Sequence, residues 1–453
     1  MYISCKQIVP TICCAAKDVG LNGKDGASVA LMAVASGKQH TLLLDNLGVV
    51  WGCGDNKNGE LGEIEGTRIK QFHFVRTPTK FENLPHIISV SAGASFSLFL
   101  DANGGVWSCG LNTCGQLGLG DKVSRCVVTE IPNLPSIASI CATGSSSIFL
   151  DCEGFVWTCG WNQYGQLGLG DTELRTVPEK IKSPSEKEIE INNISDAETA
   201  KIEAESNEDE AEDAGIFPRM QAIAGGYYHA LFLDEDGSVW SCGYNQNGNL
   251  GLGHRENKST PEKIPELPKI TTIAGGQHFT LLLDEDGYVW VCGSNSNGEL
   301  GLGHTRQINK PEKNNNLSRI VAFAGAETDS IFLDDEGSVF TCGSNWTGQL
   351  GFGNSLPSKN KPEKVPNIPP ISYISTCNAS HFFSHLVDRD GGVWACGENF
   401  SGQLGLPTLM ATSSDIFLPV ENLTCNRVVV RRGKGTKSAR NNLSNDNFDE
   451  QSS

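Results

Sequence analysis

No run of 18 apolar residues occurs in this chain, so no membrane-spanning helix is expected. The amino terminus, MYISCKQIVPTICCAAKDVG, lacks a charged leading region and a small-residue cleavage site, which argues against a secretory leader. The 16 cysteines include no CxxC pair, so neither a zinc ribbon nor a dithiol redox motif is indicated, and reduced thiols are expected. Positive charge is scarce: 35 Lys and Arg stand against 53 Asp and Glu, for a net charge of −18. Such a surface repels a phosphate backbone, so nucleic acid or chromatin is not an expected partner. The glycine-rich stretches fit neither GxxxxGK[ST] nor a strand-borne GxGxxG, and no Ser-His-Asp set or metal-ligand spacing appears. No cofactor, metal or centre for covalent catalysis is therefore expected. An intracellular chain, cytoplasmic or nuclear, fits these absences.

What is present is a repeat. VWGCGDNKNGELG begins at Val50, VWSCGLNTCGQLGLG at Val106 and VWTCGWNQYGQLGLG at Val156. Related stretches begin at Val239, Val289, Val339 and Val393, making seven copies. The Gly that follows the Cys falls at 54, 110, 160, 243, 293, 343 and 397, so most spacings are 50 to 56 residues and one is 83. A period near 50 residues marks a repeat architecture. A phosphate loop is needed once, and this motif occurs seven times, so its glycines answer to geometry.

Lys269 to Gly293 shows the unit: a β-rich run from Ile270 to Ala274, a Gly275-Gly276 turn, a strand FTLLLD, a DEDG hairpin turn and a strand YVWVCG. Asp284 and Asp286 suit the turn, and Gly287 supplies the left-handed residue that closes it. PEKI, Pro261 to Ile264, reads as a short outer strand, where Pro is tolerated. Four antiparallel strands repeated seven times predict an all-β, seven-bladed β-propeller. Blades flanked on both sides bury both strand faces, which explains FTLLLD. Six copies carry Trp (51, 107, 157, 240, 290, 394) and one carries Phe340. Each ring is expected to bury roughly 150–250 Å². Two residues on stands a Cys in every copy, read as a small buried group against the next sheet.

Nothing upstream of the first copy supplies PEKIPELP, whereas FLPVENLTCNRVVVRRG, Phe417 to Gly433, resembles it. The carboxy-terminal segment is therefore expected beside the first blade, closing the ring. The organisation is an extension over 1–29, the propeller over 30–432, an insert over 183–215 within it, and a polar, partly basic tail over 433–453.

The motifs AGGxxH, LDxxGxVWxCG and NxxGQLGLG resemble those of the regulator of chromosome condensation repeat family, over roughly residues 30–432. WD-repeat signatures are absent, and kelch repeats share the period without NxxGQLG. The resemblance implies a propeller that binds proteins, since function is grafted onto folds. Some members are scaffolds or adaptors, and the founding member exchanges nucleotide on the small GTPase Ran through one face and a wedge hairpin. A protein-interaction propeller is the first reading here. A guanine-nucleotide exchange factor for a Ran-type small GTPase is the alternative. The one long connection, GEIEGTRIKQFHFVRTP from Gly62, is the wedge candidate, with Arg68 and Lys70 as its partner-binding cations. Five residues before each strand-ending Asp stand His40, Phe96, Ser146, His229, Phe279, Asp329 and Phe383; all but Ser146 are candidate partner-binding residues. A packed or turn-bonding role is the competing reading for His40 and His229.

The 83-residue spacing holds the insert, Ser183 to Gly215, with twelve acids, two Lys and no aromatics. Disorder is expected of it. It reads as a solvated loop or as a tether for a basic partner. Arg427 to Asn442 bears six basic residues and no acid, and reads as a solvated tail or as a nuclear-import or nucleic-acid patch.

Overall fold

Short apolar runs ending in Asp, each followed by Gly, give the chain its β-hairpins. The computed structural model describes residues 31–63, 74–182, 217–353, 358–376, 382–406 and 412–420. Their regular structure is 28 β-strands. These form seven four-stranded antiparallel sheets, each of four consecutive strands, over 31–80, 87–130, 137–180, 220–263, 270–313, 320–364 and 371–419. In the fifth blade the strands are Ile270–Gly275, Phe279–Asp284, Val289–Gly293 and Ile308–Lys313. The extension, the insert and the tail lie outside the described residues, as do Arg68 and Lys70.

Each blade packs on the next, and the seventh packs on the first. The core therefore lies between blades. Phe279, Leu281 and Val289 of blade five cluster with Ile320, Phe332 and Cys342 of blade six. The second strand of each of blades one to five is buried along its whole length, and that of blades six and seven up to its last residue. The seven innermost strands ring a narrow central channel lined by small residues such as Ala35, Ala92, Gly225, Gly275 and Gly325.

Closure follows the expectation and refines it. Ser413–Pro419 completes the seventh sheet, and Val420 beyond it packs with Leu31, Val34 and Trp51 of the first blade. Among the described residues no strand is exchanged between blades seven and one, which meet face to face. The Thr41 hydroxyl donates to the Gln403 carbonyl at 2.8 Å, and the Tyr373 hydroxyl to the Val34 carbonyl at 3.2 Å. Residues 421–433 lie outside the described residues.

The Trp rings are only half-buried, contrary to the expectation of large interior rings. The fully buried aromatics are Phe96, Phe99, Phe149, Phe232, Phe279, Phe332 and Phe383. Trp instead clasps a turn. Asp284 Oδ1 accepts the amides of Asp286 and Tyr288, and its Oδ2 accepts the Trp290 indole N–H at 2.9 Å. The indole bond recurs in all six Trp-bearing blades. Burial alone would raise the Asp101 carboxyl, but the Trp107 indole and two turn amides outweigh it and hold it below the ordinary range.

The seven repeat cysteines are buried, and each Sγ faces a carbonyl of the preceding blade, from Cys396 to Gln349 at 3.2 Å to Cys159 to Gln116 at 3.9 Å. Burial pushes the Cys53 thiol up to about 12, so it stays protonated and inert.

Four of the residues supplying those carbonyls are Gln (116, 166, 349, 403), but blade one has Glu60, whose side chain is buried. Burial pushes Glu60 up to about 7, against the opposing bond from the Asn58 amide. A raised folded pKa makes the bound proton a stabilising contribution. That contribution is complete below the ordinary value of 4.5 and is lost as pH rises through about 7. Glu60→Gln is therefore expected to melt higher than the native chain at pH 8, by at most ~3 kcal/mol of added stability. The two should melt alike near pH 4.5. Equal melting at both pH values would contradict this.

Candidate functional site

Connections in a four-stranded meander alternate between faces. The first hairpin of each blade and its Asn/Gly loop lie together, as the sequence implied. The Trp161 amide donates to the Ser145 carbonyl at 2.9 Å, Tyr244 to Tyr228 at 3.0 Å, and Ser294 to His278 at 2.8 Å. This is the loop face. The DEDG turns and the links between blades form the opposite turn face, where the Ile270 amide donates to the Gly237 carbonyl at 2.9 Å.

The Asn/Gly loops spend their polar groups on themselves. Asn295 Oδ1 accepts the Leu300 amide at 3.0 Å, and its Nδ2 donates to the carbonyls of His304 and Arg306. The Asn-to-Leu bond recurs in all seven loops. Gly298 and Gly301 hold φ of +85° and +68°, a region costly for other residues. The glycines serve the turn.

His40, Phe96, His229, Phe279, Asp329 and Phe383 each open the second strand of a blade, and all are buried. His40 Nε2 lies 3.0 Å from Ser97 Oγ of the next blade, and His229 Nε2 lies 3.1 Å from Thr280 Oγ1. Burial lowers both imidazoles to about 3, so they are neutral at physiological pH. Burial, then the charges of Glu327 and Glu299, raises Asp329 well above the carboxylate range. These six groups join neighbouring blades. The residue before each one is half-buried and faces outward, including Tyr228, His278 and Phe382.

Two such outward positions and the adjoining loops assemble an aromatic patch over blades three to five. Trp161 and Tyr164 come from the third Asn/Gly loop, Tyr227 and Tyr228 from the fourth hairpin, Tyr244 from the fourth loop, and His278 from the fifth hairpin. All are half-buried. Tyr164 lies 5.2 Å from Trp161, 5.6 Å from Tyr228 and 5.0 Å from Tyr244, between ring centroids. His278 stacks on Tyr228 at 5.6 Å. Burial, then the neighbouring phenols, raises Tyr228 and Tyr244, and burial lowers His278. The patch is uncharged at neutral pH and is built of side chains that carry hydroxyl and indole donors. Trp346 and Phe400, exposed at 70% and 56%, extend the aromatic character to the loops of blades six and seven. Sequence reasoning followed the invariant positions of the repeat and missed this patch. Its signal was aromatic residues at the variable loop positions of consecutive copies.

Among the described residues no group of three His, Cys, Asp or Glu side chains is arranged to hold a metal, and no helix is long and apolar enough to cross a membrane.

The model of the Regulator of chromosome condensation (RCC1) repeat matches residues 48–100, 103–150, 153–196, 236–283, 286–333 and 336–382, more than half of the chain. Human "Protein RCC2" is 35% identical over 100 residues, 21% of this chain and 18% of that protein. The "Secretion-regulating guanine nucleotide exchange factor" of Bos taurus is 33% identical over 103 residues, 23% of this chain and 21% of that protein. The chain thus matches less than a quarter of the length of either relative. Among solved structures, Prp20p of Saccharomyces cerevisiae has a TM-score of 0.66 at 21% identity, covering 87% of this chain and 88% of that one. Human WBSCR16 has a TM-score of 0.63 at 21% identity, covering 77% and 85%. At such identity the likeness carries the fold.

Proposed function

The chain belongs to the Regulator of chromosome condensation (RCC1) repeat family, and on that premise we propose that it is a protein-interaction propeller, a scaffold or adaptor, whose partner docks on the loop face over blades three to five. The observation that carries this is the uncharged patch of Trp161, Tyr164, Tyr228, Tyr244 and His278. Tyr and Trp dominate the energetics of protein interfaces because they bury large rigid areas and still offer a polar tip. The patch is not required by the fold, since the equivalent loops of blade one carry Gln39, Asp55 and Asn58. Tyr228→Ala combined with Tyr244→Ala is expected to keep the cooperative melt and to weaken partner capture at least tenfold, about 1.4 kcal/mol. Quantitative comparison of proteins retained from source-cell extract by the two immobilised chains checks this. Equal retention of the same set would contradict it.

The acidic insert, Ser183 to Gly215, gives the same scaffold a second contact for a basic partner. The described residues that flank it in sequence, Lys182 and Phe217, belong to the link between blades three and four.

Exchange on a Ran-type small GTPase is the second reading. It draws on the family, on the name of the cattle relative and on the long connection from Gly62 to Pro78. Release of a fluorescent GDP analogue from the source cell's own Ran-type GTPase separates the two. Strong acceleration that is lost on shortening the Gly62–Pro78 connection would establish exchange; no acceleration by the folded chain removes it.

A further inference from the structure

Blade six breaks the repeat at one side chain. In the other six blades the Trp indole N–H donates to Oδ2 of the strand-ending Asp, at 2.9 to 3.3 Å. Here the equivalent pair is Asp334 and Phe340. Asp334 Oδ1 still accepts its two turn amides, from Glu336 and Ser338. Phe has no N–H, so Oδ2 loses the donor that each other blade supplies. A cavity of about 210 Å³ lies at this place, lined by Leu317, Arg319, Ile320, Asp334, Glu336 and Phe340 among others. It far exceeds the space one water needs.

The chemistry of the walls selects an occupant. One wall is the Phe340 ring with the aliphatic Leu317 and Ile320. The other is the Asp334 carboxylate, half-buried and planar, with Asp335 and Glu336 at the rim. Arg319 does not fill the gap. Its Nε and Nη2 donate to Asp335, and its Nη1 to Glu336, holding it on the rim. Three carboxylates stand here against two guanidiniums, Arg319 and, from blade seven, Arg389, whose Nη2 donates to the Glu336 carbonyl at 2.9 Å. The same turn face already places cations on aromatic rings: Lys180 Nζ lies 3.2 Å from the Phe155 ring centroid, and Lys313 Nζ 3.2 Å from that of Tyr288. A thin planar cation with N–H donors at its edge satisfies both walls at once, donating to Oδ2 and lying against the ring.

The geometry points to a docking pocket on the turn face of blade six for an arginine side chain of a partner protein, with Asp334 Oδ2 as acceptor and Phe340 as platform. The net charge of −18 favours such a partner over any that presents a carboxylate. This pocket is on the face opposite the aromatic patch, so it stands or falls independently of that patch.

The test uses the full chain with labelled Leu and Ile methyl groups and N-acetyl-argininamide as probe, followed by NMR. Saturable shifts at the Leu317 and Ile320 methyls are expected. N-acetyl-citrullinamide, planar but neutral, should bind at least tenfold more weakly. Phe340→Trp restores the seventh indole bond, so it should melt at or above the native chain and lose the probe. Asp334→Asn, which keeps the turn acceptor, should also lose the probe. Absence of shifts, equal binding of the citrulline probe, or undiminished binding to a folded Phe340→Trp chain would each overturn the proposal. So would binding of N-acetyl-tryptophanamide in preference to the arginine probe.

Discussion

A chain ending at Leu406 is expected to melt far below the intact protein. The cut removes Ser413–Pro419, which pairs with Val393–Glu398 through Trp394 to Pro419, Ala395 to Leu418 and Gly397 to Ser414. It also removes Phe417, a buried ring in the cluster that joins blades six and seven. Burying one such ring contributes about 2–3 kcal/mol. On one side the blade-six contact goes, including the Gly353 amide to the Asp415 carbonyl at 2.7 Å. On the other goes the packing of Val420 against the first blade. The Val420 contact lies at the junction of blades seven and one, which the chain does not link covalently, and the rest weakens the seventh blade that forms that junction, so the ring is expected to open there. Several kcal/mol is a large share of the 5–15 kcal/mol that typically holds a domain. Calorimetry checks this, and an unchanged melting temperature would contradict the account of closure.

Gly275→Val is expected to prevent the native ring from forming. Gly275 ends the innermost strand of blade five, where a Cβ would lie 2.4 Å from the Gly226 backbone nitrogen and 2.7 Å from the Gly225 carbonyl carbon. Both obstacles are backbone of the adjacent innermost strand, so neither can rotate away. Relief requires the two blades to separate, and the ring fixes their spacing. Overpacking typically destabilises by about 1–3 kcal/mol, and by more when no side chain can yield. Gly275→Ala should show the same effect in weaker form. Native melting of Gly275→Ala, measured by circular dichroism, would show that the blades are not packed this closely.

How much of this was legible varied with the kind of position. The period, the four strands per copy and the hairpin closed by Gly287 came from residues that recur because each blade needs them. FTLLLD was readable as a strand buried on both faces because Phe279–Asp284 contacts a sheet on each side. The role of Trp was not readable. Bulk suggested an interior ring, whereas the indole N–H draws it to the turn carboxylate, and the smaller Phe fills the seams. His40 and His229 stood out by chemistry but sit at strand starts that face the next blade. Outward-facing groups fall one residue earlier, where Gln39, Ser95, Tyr228 and His278 differ from copy to copy. A repeat analysis aligns what is shared, so a patch made of differences escapes it. Phe340 was visible as an exception, but its consequence needed the Asp–Trp clasp of the other blades.

The most direct test of the interaction surface replaces Tyr228 with p-benzoylphenylalanine in the source cell and irradiates it. Leu47, exposed on the turn face of blade one, serves as the comparison position. Covalent protein adducts from position 228, absent from position 47 and lost when Tyr244→Ala is added, are the predicted result. Adducts from position 47 alone, or none from position 228 in a folded chain, would contradict a partner docked on the aromatic loop face.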